Sequence, residues 1–482
     1  MEDEKADKGI KFKKSENFSE WYTDVIIRSG FVDYSSVSGM MVLRPDSYFM
    51  WEQIFGEADR LLKKNGVTNT AFPIFIPERL LQKEAKHIEH FKAEVAWVTH
   101  GGDSELEERL AVRPTSETIM YESVAKWVRS WRDLPMKLNQ WNSVVRWEFK
   151  HPTPFLRTRE FYWNEGHSIY ATEDETVKER DVILGIYEHI LKDYMALSCI
   201  AGKKTEQEKF AGGVASYSLE LLMPDGWAIQ GPAWHYDGQN FSRVFGIEFL
   251  NKEGKKAYAW QSTYAISTRV LGALIAMHGD DKGLVIPPMM SRIQVVVVPI
   301  YKTENKEKVL EAARKISDRI GKRSRMHLDD RDDVSPGWKF NEWELKGVPV
   351  RIEIGERDIN EGKVVAARRD TLEKADIRID GVEKEVQKLL KTIQKSLYKR
   401  AQKAMKAMTS TVHTYASMKA ALDSRKGFVL APWCGEDNCE NKIKDETGAK
   451  ITNMPLDQSK LRGNCIYCGK AAKHMANFAR SY

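Results

Sequence analysis

The chain has 482 residues, 42% of them hydrophobic and 30% charged, with 75 Lys and Arg against 69 Asp and Glu for a formal net charge of +6. That length allows about three domains of roughly 150 residues each, and the mild positive excess permits RNA binding without arguing for it. No apolar run reaches the roughly 18 residues of a membrane span, and the charged start MEDEKADKGIKFKK lacks a signal peptide's apolar core, so a soluble, cytoplasmic protein with no membrane association is expected.

Residues 1–16 are charged and poor in apolar side chains, which predicts a flexible lead. From Asn17 the chain reads as globular. Asp46 is placed to cap a helix with Phe49, Phe55, Ala58, Leu61 and Leu62 at helical spacing and a stop near Gly66. Ala71 to Pro77 follows as a short strand whose prolines give it edge character. Arg113-Pro-Thr-Ser-Glu117 opens another helix, running to Trp127. Thr115 or Ser116 with Glu117 is either a helix cap or a hydroxyl and carboxylate placed to receive an ammonium group.

Val144 to His167 reads as a hairpin. Val145, Trp147 and Phe149 alternate with Arg146, Glu148 and Lys150, and Pro152 and Pro154 break the ladder. Arg159 to His167 returns as the antiparallel partner, with Phe161, Trp163, Glu165 and His167 on one face. This pairing gathers Arg146, Glu148, Phe161 and Glu165. A guanidinium fork suits phosphate or carboxylate, a glutamate accepts from an exocyclic amine, and an aromatic face stacks on a base, a set that fits a nucleotide. A solvated charged strand face is the plain alternative.

Beyond the hairpin, Glu173 to Leu197 has helical periodicity, and Tyr217 to Leu222 and Trp227 to Gln230 are short strands around Pro224-Asp-Gly226. A polar cluster with Gln230 and His235 follows. Tyr258 to Arg269 then runs from a strand into a helix, Val270 to His278. A cation in a helix's first turn opposes the dipole, so Arg269 is a candidate phosphate ligand.

Pro287-Pro288 marks a linker, and the unbroken apolar run Ile293 to Val298 reads as a strand buried on both faces. A helix from Thr303 to Gly321 and strands at Arg325 to Leu328, Val348 to Ile354 and Lys363 to Ala367 make a small α/β unit with a mostly parallel or mixed sheet. Its loops carry Lys339, Glu344, Arg351, Arg357 and Arg368, which suit single-stranded RNA or are merely solvated. A long helix, Glu383 to Met408, leads to Cys434, Cys439, Cys465 and Cys468, in the pattern C-x4-C, twenty-five residues, C-x2-C. Four thiolates so spaced, with Gly435 and Gly469 allowing tight turns, fit a closed and therefore structural zinc site.

In this order, the segments from Asn17 to Tyr482 resemble the class II aminoacyl-tRNA synthetases, and among them the prolyl-tRNA synthetase family of the archaeal and eukaryotic type. The helix and strand ending at Pro73 match motif 1, the Arg146-x-Glu148 stretch motif 2, and the strand and helix bearing Arg269 motif 3. The resemblance implies an α+β fold. A class II antiparallel-sheet catalytic domain would span 17–286, an α/β anticodon-binding domain 287–400 and a small α/β zinc-containing domain 401–482.

It implies further that ATP binds bent on the sheet with Mg2+ on its phosphates. Arg146 would hold the α-phosphate and the proline carboxylate, Arg157 and Arg269 the outer phosphates, and Glu148 the adenine amine. Phe161 would stack on the ring, with Gln230 and Thr268 completing the site. Proline's ammonium would meet Thr115 and Glu117, with Trp163, Glu165 and His167 as the pocket wall and His235 closing it. Glu344, Arg351 and Arg357 would read anticodon bases, and the four cysteines would hold one Zn2+.

The implied reaction is ligation of L-proline to tRNA(Pro) through prolyl adenylate, by a cytoplasmic homodimer. Some misactivation of alanine or cysteine is expected, since a lost methylene is worth only about 1–3 kcal/mol. A non-catalytic tRNA-binding or regulatory paralogue is the alternative, and the presence of Arg146, Glu148, Arg157 and Arg269 argues against it. Two departures from the family pattern stand at the pocket. Ala265 replaces a usual glycine, and Ala233 removes a hydroxyl expected to contact ATP. The chain ends in tyrosine, Tyr482, as chains of this subgroup tend to.

Overall fold

The computed structural model describes residues 9–85, 94–148, 152–424 and 427–482. The expectations for residues 1–8, Phe149 and Lys150 fall outside them. The described part of the expected flexible lead is docked: Lys14 donates through Nζ to Gly279 O at 2.6 Å and through its backbone N to Asp281 at 2.8 Å.

Helix α1 (Phe18–Arg28) is capped by Asn17, whose side chain accepts from Glu20 N. In α2 (Pro45–Lys64) the cap position belongs to Arg44, not Asp46. Pro45 takes the first helical position, where its missing N–H is no loss, and Asp46 pairs with Arg292 instead. The buried face of α2 is Met50, Trp51, Ile54, Ala58 and Leu62, leaving Phe55 exposed.

A short strand β1 (Thr68–Asn69) and helix α3 (Glu117–Trp127) precede the hairpin of β2 (Met136–Val145) and β3 (Glu160–Tyr170). Its ladder runs from Met136↔Ile169 to Val145↔Glu160. The first strand therefore ends where the sequence pattern starts it, and Trp147 and Glu148 lie in a turn rather than alternating across a strand. Register goes to the longer ladder available upstream. Arg146 stays attached, its N donating to Arg159 O at 2.7 Å.

The chain continues through α4 (Glu173–His189), β4 (Ile200–Lys203), β5 (Ala215–Leu222), β6 (Ala228–Gly238), β7 (Trp260–Ser267) and α5 (Arg269–His278). α4 begins with Thr172 and Glu175 capping each other's backbone N–H. The polar cluster after Gln230 falls in the second half of β6.

A second sheet has the order β9-β8-β10-β11-β12, from β8 (Val295–Ile300), β9 (Met326–Leu328), β10 (Val350–Gly355), β11 (Lys363–Arg368) and β12 (Lys374–Arg378). Its β8 pairs are parallel and the rest antiparallel. Val295 and Val297 enter one core, shared with α6 (Lys306–Gly321) and α7 (Val382–Ala407), while Val296 and Val298 enter another. Both faces of that apolar run are buried, as its pattern demands.

The C-terminal strands β13 (Thr409–Thr411), β14 (Phe428–Trp433), β15 (Lys450–Pro455) and β16 (His474–Ala479), with helix α8 (Asp437–Thr447), extend the first sheet instead of forming a separate one. Among the described residues the sheet runs through eleven strands, β13-β14-β16-β15-β4-β5-β6-β7-β3-β2-β1. The seam is β15 on β4, pairing Met454 with Lys203 and Pro455 with Gly202. A side chain at Gly202 would lie 2.5 Å from Met454 O, so the seam closes only because that residue lacks one.

Candidate active site

Alternation along β3, β6 and β7 sends two sets of side chains to opposite faces. Ser168, Tyr170, Trp234 and Ser262 turn toward α4, where all four donate to Glu179 at 2.6–3.2 Å. The other set floors a cavity of 290 Å³. One row of paired residues is Glu165–Ala265–Ala233–Ser218 and the next is His167–Thr263–His235–Ser216, and all of these but His167 line the cavity.

One end of the cavity is acidic. Glu165 is buried and accepts from Ser116 N and Ser116 Oγ, each at 2.6 Å, while the Thr115 hydroxyl lies between it and Glu117. His167 places Nε2 3.4 Å from Glu165 and meets the Tyr121 hydroxyl with Nδ1 at 2.9 Å. Burial opposes a charge on each of these groups. For Glu165 the hydrogen bond and charge of His167, with the donors of Ser116, win and hold its pKa low. For His167 the bond and charge of Glu165, then the charge of Glu117, win and hold its pKa high. For Glu117, burial and the negative Glu165 push the pKa up. This end combines carboxylates and a hydroxyl around space for a small ammonium.

The other end is cationic. The Arg146 guanidinium lies 5.4 Å from the ring centres of both Phe161 and Trp163, and its Nε donates to Pro114 O at 3.1 Å. Arg269, at the start of α5, also lines the cavity. Its pKa is lowered to about 10 by burial and then by the positive charge of Arg146, an arrangement that an arriving anion relieves.

Between the ends stands His235, with Nδ1 2.7 Å from Ser216 Oγ and its ring 5.0 Å from that of Phe210. Burial, then the charges of Lys204 and Arg146, drives its pKa down to about 4, so it is neutral near pH 7.

Thr115, Glu117, Arg146, Phe161, Trp163, Glu165, Gln230, His235 and Arg269 all line this one cavity. The other expected site residues do not. His167 sits behind the acidic wall instead of forming it, because β3 carries it one row deeper, against Tyr121. Thr268 lines a smaller neighbouring cavity beside Phe161. Glu148 and Arg157 act on Arg269 through their charges, from outside the cavity lining.

Sequence reading missed Ser216, Ser218 and Thr263, and the buried ion pair of Lys204 with Glu220 at 2.7 Å. The signal was present: Ser216-x-Ser218-x-Glu220 puts polar groups at alternate positions of an otherwise apolar strand.

The remaining expected residues form two groups elsewhere. Cys434, Cys439, Cys465 and Cys468 bring their sulfurs within 4.8 Å of one another, with Gly435 and Gly469 at φ of 82° and 73° turning the chain beside them. Four thiols so placed fit a tetrahedral Zn2+ with no open position. In the second sheet, Arg351 bridges Glu344 and Glu353, each at 3.0 Å, whereas Arg357 is exposed on a separate short helix and pairs with Glu361. The structure thus joins Glu344 to Arg351 but not to Arg357.

An antiparallel sheet flooring a cavity with an acidic and a cationic end is the arrangement expected of a class II aminoacyl-tRNA synthetase. Residues 91–278 match the tRNA synthetase class II core domain (G, H, P, S and T), 294–389 the anticodon binding domain and 415–482 the prolyl-tRNA synthetase C-terminal domain. The chain is 47% identical to proline–tRNA ligase of Alkaliphilus oremlandii over 97% of its length and 96% of that protein. It is also 47% identical to proline–tRNA ligase 2 of Bacillus cereus, over 98% of both. The crystal structure of prolyl-tRNA synthetase from Cryptosporidium parvum, complexed with halofuginone and AMPPNP, superposes with a TM-score of 0.94 at 43% identity, covering 98% of this chain and 100% of that one. The chain belongs to the proline–tRNA ligase family.

Proposed function

We propose that the protein ligates L-proline to tRNA(Pro) in two steps, making prolyl adenylate from proline and ATP and passing the prolyl group to the terminal ribose hydroxyl of the tRNA. The carrying observation is the cavity with its two chemically distinct ends. Proline's secondary ammonium meets Thr115, Glu117 and Glu165, and its carboxylate turns to Arg146. That carboxylate attacks the α-phosphorus of ATP and pyrophosphate leaves, so no protein nucleophile is required. The chain's part is positioning and charge neutralisation by Arg146, Arg157 and Arg269. Phe161 stacks on adenine, Glu148 accepts from its amine, Gln230 and Thr268 complete the nucleotide contacts, and Trp163 and His235 flank the proline ring. His167 supports this site from behind.

AMPPNP in the Cryptosporidium relative supports the ATP reading. Mg2+ would neutralise the phosphates beside Arg146 and Arg269. The four cysteines hold one structural Zn2+. We place the protein in the archaeal and eukaryotic type, supported by its cysteine-bearing C-terminal unit, although the named curated relatives are bacterial. Its units are 17–286, 287–400 and 401–482. Glu344, Arg351 and Arg357 read the anticodon. The protein is a cytoplasmic homodimer joined through α2 and the segment Ile74 to Pro77, where Tyr48, Phe55, Ile74 and Phe75 are exposed. Alanine and cysteine are activated weakly.

The test is proline-dependent ATP–pyrophosphate exchange. Folded protein that exchanges with proline, and less with alanine or cysteine, bears the reading out. Folded protein that shows no exchange with any of them overturns it.

A further inference from the structure

The segment 204–214, which joins β4 to β5, forms no helix or strand, yet Lys204, Glu208, Lys209 and Phe210 line the cavity. Phe210 sets its ring 5.0 Å from that of His235. The catalytic sheet ties the segment down at two points: Lys204 N donates to Ser216 O at 2.8 Å, and Phe210 N to Ser216 Oγ at 2.9 Å. Between them the chain makes one turn, in which Lys209 N donates to Thr205 O at 3.0 Å.

The outer side of that turn rests on the C-terminal unit. Thr205 donates through Oγ1 to Glu440 Oε1 on α8 at 2.9 Å, with both residues buried. Glu208 pairs with Lys450 Nζ on β15 at 2.6 Å, their side chains 17% and 32% exposed. These partners stand 235 and 242 residues apart in sequence. α8 starts between Cys434 and Cys439, and Glu440 follows Cys439 directly, so part of the grip comes from the helix that carries a member of the cysteine cluster.

Ordering a loop costs conformational entropy, and a loop that presents side chains to a site needs partners beyond its own ends. A buried hydrogen bond is costly to break, because the separated partners stay unpaired, whereas a partly exposed ion pair adds less. One contact leaves a turn free to pivot. Two contacts, at Thr205 and Glu208, fix its orientation. Neither Lys450 nor Glu440 lines the cavity, so their effect on it passes through Glu208, Lys209 and Phe210.

Resting on the proline–tRNA ligase reading, we propose that the C-terminal unit positions the active-site loop: Lys450 and Glu440 hold the turn at 205–208 so that Phe210 stays against His235, on the side where the proline ring lies. Lys450 and Glu440 are positioning residues that touch no substrate. The C-terminal unit thereby contributes to amino-acid binding without lending a side chain to the cavity.

The experiment is ATP–pyrophosphate exchange with varied proline at saturating ATP, on wild type, Lys450→Ala, Lys450→Arg, Thr205→Val and the double variant Thr205→Val/Lys450→Ala. Tryptic cleavage after Lys209 reads the loop separately. Lys450→Ala and Thr205→Val should each raise KM for proline about fivefold, with kcat within about twofold of wild type, and the double variant should raise it further. Cleavage after Lys209 should quicken in the same order, and Lys450→Arg should behave as wild type in both readouts. A KM for proline within about twofold of wild type in the double variant overturns the proposal and leaves the proline reading standing. A rise confined to Lys450→Ala, with Thr205→Val and the cleavage rate unchanged, also overturns it, since Lys450 then acts through its charge alone. Wild type without any exchange overturns the parent reading and this one together.

Discussion

At the scale of single residues, the site depends on carboxylates and imidazoles whose charge is set by what surrounds them. Glu117 and Glu165 have the same chemistry, yet burial raises the pKa of one while His167 and Ser116 lower the other's. Only the three-dimensional neighbours separate them. Burial also keeps two histidines neutral. His278, whose Nε2 bonds Met195 O at 3.0 Å, has its pKa lowered to about 3, and His235 to about 4. The unfolded chain protonates both near pH 6.5, so unfolding takes up protons below that pH. Their stabilisation is complete above about pH 6.5 and is lost as the pH falls toward 4. His278 alone should cost about 2 kcal/mol by pH 5. Thermal denaturation between pH 7 and pH 5 should therefore show a shallower decline in Tm for His278→Gln than for wild type, and equal slopes would refute this account.

At the scale of elements, α4 works as a clamp. Glu179 takes donors from β3, β6 and β7, the three strands whose opposite faces carry Glu165, His235 and Thr263. Removing the acceptor leaves Ser168, Tyr170, Trp234 and Ser262 buried without it. Glu179→Ala should lower stability by about 3 kcal/mol or more in urea denaturation and raise KM for the amino acid, whereas Glu179→Gln, which keeps an acceptor, should lose less. Equal stability of Glu179→Ala and wild type would reject the clamp. The sequence pattern marked α4 as helical and amphipathic, and nothing in it showed Glu179 pointing inward, because a lone inward glutamate looks like an exposed one until the strands above it are placed. The hairpin shows the reverse case. Its alternating face was legible from Phe161 to His167, but its register depended on an upstream strand, Met136–Val145, with a longer ladder to offer.

At the scale of the whole molecule, the C-terminal unit shares the catalytic sheet through β15 and β4, and the Lys204–Glu220 pair of the cavity wall lies just beyond that seam. Loss of the proposed Zn2+ should therefore reach the active site. Cys434→Ser, or exhaustive chelation of wild type, should remove about one zinc per chain, lower Tm and raise KM for proline, read by metal analysis, calorimetry and exchange kinetics. Folded, fully active protein without zinc would contradict this coupling.

Local chemistry was readable from the chain alone. The strand and helix periods, the apolar run of β8 and the cysteine spacing all rest on neighbours close in sequence, where side-chain geometry is set by φ and ψ, whereas the gathering of the cavity's two ends was implied only by the resemblance to the family. Tertiary structure decided whatever depends on long-range register. It moved His167 behind the wall, carried Glu148 and Arg157 out of the cavity lining and joined the C-terminal strands to the catalytic sheet. A one-residue change of register exchanges the two faces of a strand, so no local pattern can assign these positions until every strand has its partner.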